Sequence, residues 1–263
     1  QLDLNVQQNI DNQTGEIYAG SQAKINAAAL NNQQGTIYSK NQLALDATQL
    51  NNQNGQIYPA GQSNLIVQGD IQNQQGILAA AQNLNIQSAG LNNTSGTIRS
   101  ENADLSVNAQ GQLINQKGDI YAGQNVSLNS VGLDNTAGLI AAQNQLSIDT
   151  QKQQLSNQNA KVIAKTIDLK TGKLDNQTGL IQAEQFVKID TQNQALLNNN
   201  SGSNAGILSQ GSLDIANVSQ LENSSGYIAA IGSANITAQN INNNSGQINS
   251  QADLTLQQQT AGG

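Results

Sequence analysis

Asparagine is the residue through which this chain could do its most distinctive chemistry. A side-chain amide has two N–H donors and one carbonyl acceptor, so amides stacked in register can bond into a continuous chain. Asn12, Asn32, Asn52, Asn73, Asn93, Asn115, Asn135, Asn157, Asn176, Asn199, Asn223 and Asn243 recur at a mean spacing of 21 residues, eleven intervals over 231 residues. An apolar residue stands two before each, from Ile10 and Leu30 to Leu197, Leu221 and Ile241. Three residues after each stands a turn position, held by Gly15, Gly35, Gly55, Gly76, Gly96, Gly118, Gly138, Gly179, Gly226 and Gly246. Ala160 takes that place after Asn157, and the longer unit "LNNNSGSNAGILSQ" offers both Gly202 and Gly206.

Other residues are candidates for different chemistry. Asp46, Asp149 and Asp190 fall at outward strand positions, where carboxylates in a groove could act as acid and base. Their sequence positions place them in mostly separate parts of the fold, and no charged cluster is visible across neighbouring units. The chain has no His and no Cys, and no GGxGxD calcium repeat. The expectation is therefore a non-enzyme without cofactor or metal. Tyr18, Tyr38 and Tyr58 share one outward position in three successive units. They read as cross-strand stacking that steadies a sheet, with a sugar- or partner-binding platform as the functional alternative. Lys152, Lys161, Lys165, Lys170 and Lys173 supply half of the ten basic residues. They read as a solvated surface, with Lys161, Lys165, Lys170 and Lys173 as the alternative contact patch.

The elements that would position these residues are strands. Stretches such as "LALDA" at 43–47, "VSL" at 126–128 and "LTL" at 254–256 alternate apolar and polar residues, and period two means strand. Each unit holds about three short strands between Asn/Gly-rich turns. A unit of ~20 residues cannot bury its own apolar face, but stacked units can. The fold expected is all-β: a right-handed parallel β-helix of about twelve coils, residues 1–263 forming a single solenoid. Each asparagine then faces its counterpart one coil along, at the ~4.8 Å strand spacing. The turn glycine is expected at positive φ. Pro59 should weaken its sheet locally, and the unit after residue 197 should carry a projecting loop.

Composition excludes several classes. Ten Lys and Arg against seventeen Asp and Glu give a net charge of −7, which cannot neutralise a run of phosphates. No apolar run reaches the ~20 residues of a membrane-spanning helix. The expectations are no nucleic acid and no membrane insertion. The absence of Cys fits export through an oxidising compartment, although no signal peptide opens the chain.

The repeats "LNNQQGTIYSKNQLALDATQ" and "LDNTAGLIAAQNQLSIDTQ" resemble those of filamentous haemagglutinins and of contact-dependent growth-inhibition effectors (CdiA-type). The resemblance covers about Ile10 to Leu256. It implies a shaft secreted by a two-partner system of a Gram-negative bacterium and displayed on the cell surface. The partners implied are flanking coils of the same protein, an outer-membrane transporter during export, and a target-cell receptor. The shaft would present a distal receptor-binding or toxin region; the alternative is an adhesin segment that itself binds receptors or glycans. The first and last strands read as parts of coils, so the chain is expected to be a piece of a longer protein.

Overall fold

Alternation sets the first link from sequence to structure. In Leu43–Asn51 the side chains of Leu43, Leu45 and Ala47 are buried while Asp46 is exposed. The strand pairs in parallel with Ala23–Asn31, bringing Ile25 beside Leu45 and Leu30 beside Leu50. Apolar residues thus meet their own counterparts, and each buried Leu or Ile contributes roughly 1.5–3 kcal/mol relative to exposure. The computed structural model describes residues 1–202 and 204–259, and among them the regular elements are thirty β-strands with no helix. They form two compact units, Gln1–Val131 and Gly132–Gly263.

Each unit is a parallel β-solenoid whose coils pass through three faces in turn. In the first unit, the first face stacks Ile10, Leu30, Leu50, Ile71, Leu91 and Leu113. The second face stacks Glu16–Ala19, Thr36–Ser39, Gln56–Ile57, Ile77–Ala80, Thr97–Ser100 and Asp119–Ala122. The third runs from Leu2–Asn5 through Ser63–Val67 to Val126–Asn129. The second unit repeats the plan. Its first-face column is Leu133, Leu155, Leu174, Leu196, Leu221 and Ile241. Its second-face column is Ile140, Val162, Ile181, Ile207, Ile228 and Ile248.

Three expectations need correction. The turn glycines do not carry the positive φ; the residue before each does, from Thr14 at 54° through Lys117 at 55° to Ser245 at 55°. The glycine is required for space. A Cβ on Gly55 would lie 2.1 Å from the Asn32 carbonyl oxygen of the preceding coil, and Gly76 and Gly96 meet the same obstacle. At Ala160 the turn hydrogen bond to the Asn157 carbonyl stretches to 3.3 Å, against 3.0 Å at Gly179. The turn yields a little to admit the methyl group.

The second correction concerns the unit read as starting at Leu197. The buried apolar residue is Leu196, paired with Leu174, and Leu197 points outward beside Asp175. The register therefore moves by one, and Asn198 takes the ladder position expected of Asn199. The third follows from it: neither Gly202 nor Gly206 is the turn residue. Ser201 is, three after Asn198, and the chain then inserts residues 202–205 before Gly206 pairs with Leu180. In other coils the carbonyl of the turn residue accepts the first N–H of the next second-face strand, as Gly15 does from Thr36 at 2.9 Å. In this coil the Ser201 hydroxyl accepts the Tyr227 N–H instead, at 2.8 Å.

Candidate functional site

The repeated asparagines form a hydrogen-bonded column in each unit. Asn12 Nδ2 donates to Asn32 Oδ1 at 2.7 Å, and the 2.7 Å step repeats from Asn32 to Asn52, Asn73, Asn93 and Asn115. In the second unit Asn135 donates to Asn157, then Asn157 to Asn176, Asn176 to Asn198, Asn198 to Asn223, and Asn223 to Asn243, at 2.7–2.8 Å. The same amide nitrogen also reaches its own turn carbonyl, as Asn32 does to Gly35 at 3.2 Å. Asn199 stands outside the column and accepts the Ser224 N–H. The amides are saturated by one another, so their chemistry is cohesion.

A second set of amide and carboxylate side chains, unnoticed in the sequence, works beside the column. Asp11, Asn51, Asn92, Asp134 and Asn242 each accept, through Oδ1, the backbone N–H two residues on, at 3.0–3.2 Å. In these coils the Asx turn tethers the entry to the αL residue. The signal was present: the position before each ladder asparagine is mostly Asp or Asn.

The tyrosines do stack. Ring centroids of Tyr18 and Tyr38 lie 5.4 Å apart at 17°, and those of Tyr38 and Tyr58 lie 5.2 Å apart at 51°. The rings of Tyr18 and Tyr38 present their faces to each other, so a sugar would meet mainly edges. Pro59, which lacks an N–H, follows a strand of only two residues, Gln56–Ile57.

Charged residues of the second unit come together more than the sequence suggested. Asp149, Lys170 and Asp190 are successive members of one third-face column. Ser147, Asp168, Lys188 and Asp214 form the column beside it. Lys170 Nζ lies 3.0 Å from Asp149 Oδ2, and Lys188 Nζ lies 3.7 Å from Asp168 Oδ2. Asp149 and Asp190 are thus two coils apart with a lysine between them, not in separate parts of the fold; Asp46 is elsewhere, paired with Asn26 in the first unit. Burial pushes the Asp149 carboxyl upward, but the Gln151 N–H and the Lys170 ammonium prevail and its pKa lies below 3.8. The hydrogen bond to Asp149 and that carboxylate's charge raise Lys170 above 10.5, with Asp190 adding to the effect.

The lysines proposed as one patch separate. Lys170 belongs to the charged column, and Lys173 lies 3.8 Å from the buried Asp175. Lys161 opens a second-face strand, and Lys165 occupies a corner where the register shifts. Among the described residues, no group of three or more His, Cys, Asp or Glu is placed to hold a metal ion. No helix among them is long and apolar enough to cross a membrane.

Four overlapping segments, residues 1–75, 60–117, 100–150 and 113–160, match the haemagglutinin repeat family. Together they span more than half of the chain, which belongs to that family. No curated protein and no solved structure matches it. The family's β-solenoids are shafts or adhesins of filamentous, secreted cell-surface exoproteins rather than typical enzyme folds.

Proposed function

We propose that this chain is a structural shaft segment of a secreted surface exoprotein of a Gram-negative bacterium, exported through an outer-membrane two-partner transporter. Its task is to hold a distal receptor-binding or toxin region toward a target cell, as in contact-dependent growth inhibition. The observation that carries this reading is where the repetition lies. The residues repeated from coil to coil point inward or into turns and bond to their own counterparts. Outward positions change along the solenoid: the column Tyr18, Tyr38 and Tyr58 gives way to Ala79, Arg99 and Tyr121. Such a sequence specifies stacking and leaves the surface free to vary.

The test uses the whole exoprotein. Removing one full coil, residues 32–51, should leave export and target-cell inhibition intact, because Asn12 then meets Asn52 in register. Replacing Tyr18, Tyr38 and Tyr58 by Ser should leave target-cell binding unchanged. Loss of binding in the tyrosine variant would replace the shaft reading by an adhesin acting through this face.

A further inference from the structure

The second face of the second unit carries an open furrow. One part, of about 280 Å³, is floored by Leu208 and Ala229 and walled by Tyr227, Ile231 and Gln251. A second part, of about 390 Å³, runs over Ile163 between Gln143 and Glu184. Gln182 and Gln210 line both, so the two parts are neighbours along the stack of coils. The floor is the outward column Ile163, Gln182, Leu208, Ala229 and Asn249. The wall is the corner column, where Ile231 stands in a place held by polar residues in the neighbouring coils, Gln210 and Gln251, and is 52% exposed.

We propose that this furrow binds a neutral polysaccharide laid along the stack of coils. A pyranose ring has an apolar C–H face and hydroxyls at its edge. The furrow answers both, with aliphatic floor and wall beside Tyr227 and with amides of Gln182, Gln210, Asn249 and Gln251 along its length. Coils repeat every ~4.8 Å, close to the length of one sugar residue in an extended chain. The 280 Å³ part is lined by no charged residue, and the larger part has one lysine and one glutamate, Lys165 and Glu184. An uncharged, hydroxyl-rich chain fits that balance; a polyanion does not. An extended peptide is disfavoured because this face offers no free strand edge: its backbone groups already pair from coil to coil.

The inference stands apart from the shaft reading, which the coil deletion tests by delivery and not by sugar binding. The experiment titrates the purified chain with cellohexaose, maltohexaose and chitohexaose by calorimetry and by ¹H–¹⁵N NMR. Saturable binding of at least one is expected, with shifts confined to the Leu208, Ala229 and Ile231 region. Ile231→Asp and Leu208→Asn, both at outward positions, should each weaken it by about tenfold or more without lowering the melting temperature. Tyr18→Ser should change nothing. Absence of saturable binding to all three sugars overturns the proposal. So does affinity unchanged in Ile231→Asp, or preference for a heparin hexasaccharide or an unstructured peptide.

Discussion

A single asparagine in the column serves three coils. Asn73 accepts from Asn52 and donates to Asn93, each at 2.7 Å, and its amide also reaches the Gly76 and Thr97 carbonyls. Replacing it with Leu would leave the buried Asn52 amide short of an acceptor and the Asn93 carbonyl short of a donor. A buried polar group left unpaired costs ~1–3 kcal/mol, so Asn73→Leu should lose about 2–4 kcal/mol. Gln87→Ala, at an exposed third-face position, should stay within about 0.5 kcal/mol. Urea melts of the two variants decide the matter, and equal midpoints would remove the ladder from the account of stability. The neighbouring glycine is irreplaceable for a related reason: in a stacked coil the obstacle to a side chain is the coil before it, as Asn52 O is to Gly76.

At the scale of elements, the charged columns add a pH dependence that the amide columns lack. Asp149 has a folded pKa below its ordinary value, so its contribution is full above that ordinary value and is lost as pH falls through the folded one. Lys170 is raised, so its contribution is full below the ordinary lysine value and is lost only as pH rises through its folded pKa. Lys170→Gln should move the Asp149 carboxyl back toward 3.8, part of the way, because the Gln151 N–H still bonds it at 2.8 Å. A carbon-detected NMR titration of Asp149 reads this directly; an unmoved midpoint would assign the whole shift to the backbone bond. Added salt should shrink the difference between parent and variant, since both partners are partly exposed.

The same scale separates what the sequence made legible from what it concealed. The repeat and its alternation were enough to place the strands, the parallel stacking and eleven of the twelve ladder asparagines. The twelfth failed because Leu196 and Leu197 both satisfy an apolar-x-Asn pattern. Only the coil-to-coil pairing of Leu196 with Leu174 and Leu221 chooses between them. The reason for the glycines was concealed for the same cause, since their constraint comes from a residue about twenty positions earlier. Charge clustering escaped too, because Asp149 and Asp190 are two uneven coil lengths apart in the chain and adjacent to the same lysine in space. The furrow could not be read at all, because it arises from corner positions whose alignment depends on insertions.

For the whole molecule, stability is a sum over coils and their interfaces, so opening should begin where a coil has one neighbour. Ile10 and Ile17 are only half-buried, and Ile241, Leu254 and Leu256 are exposed, although they occupy the same columns as residues buried elsewhere. Within each unit, Leu45, Leu65 and Ile86, and likewise Ile189 and Ile215, are almost wholly sequestered. In residues 1–263 purified alone, hydrogen exchange should therefore run fastest at the amides of residues 2–19 and 241–258. It should slow through the first unit from residue 19 onward and through the second from residue 241 backward. The gradient has a mechanism that can be perturbed. Asn73→Leu breaks the column between Asn52 and Asn93, so it should speed exchange at Ile71, Leu78 and their neighbours and leave Ile189 unchanged. Uniform acceleration through both units would mean that each opens all at once, and the additive, coil-by-coil account would have to be replaced by a single cooperative transition.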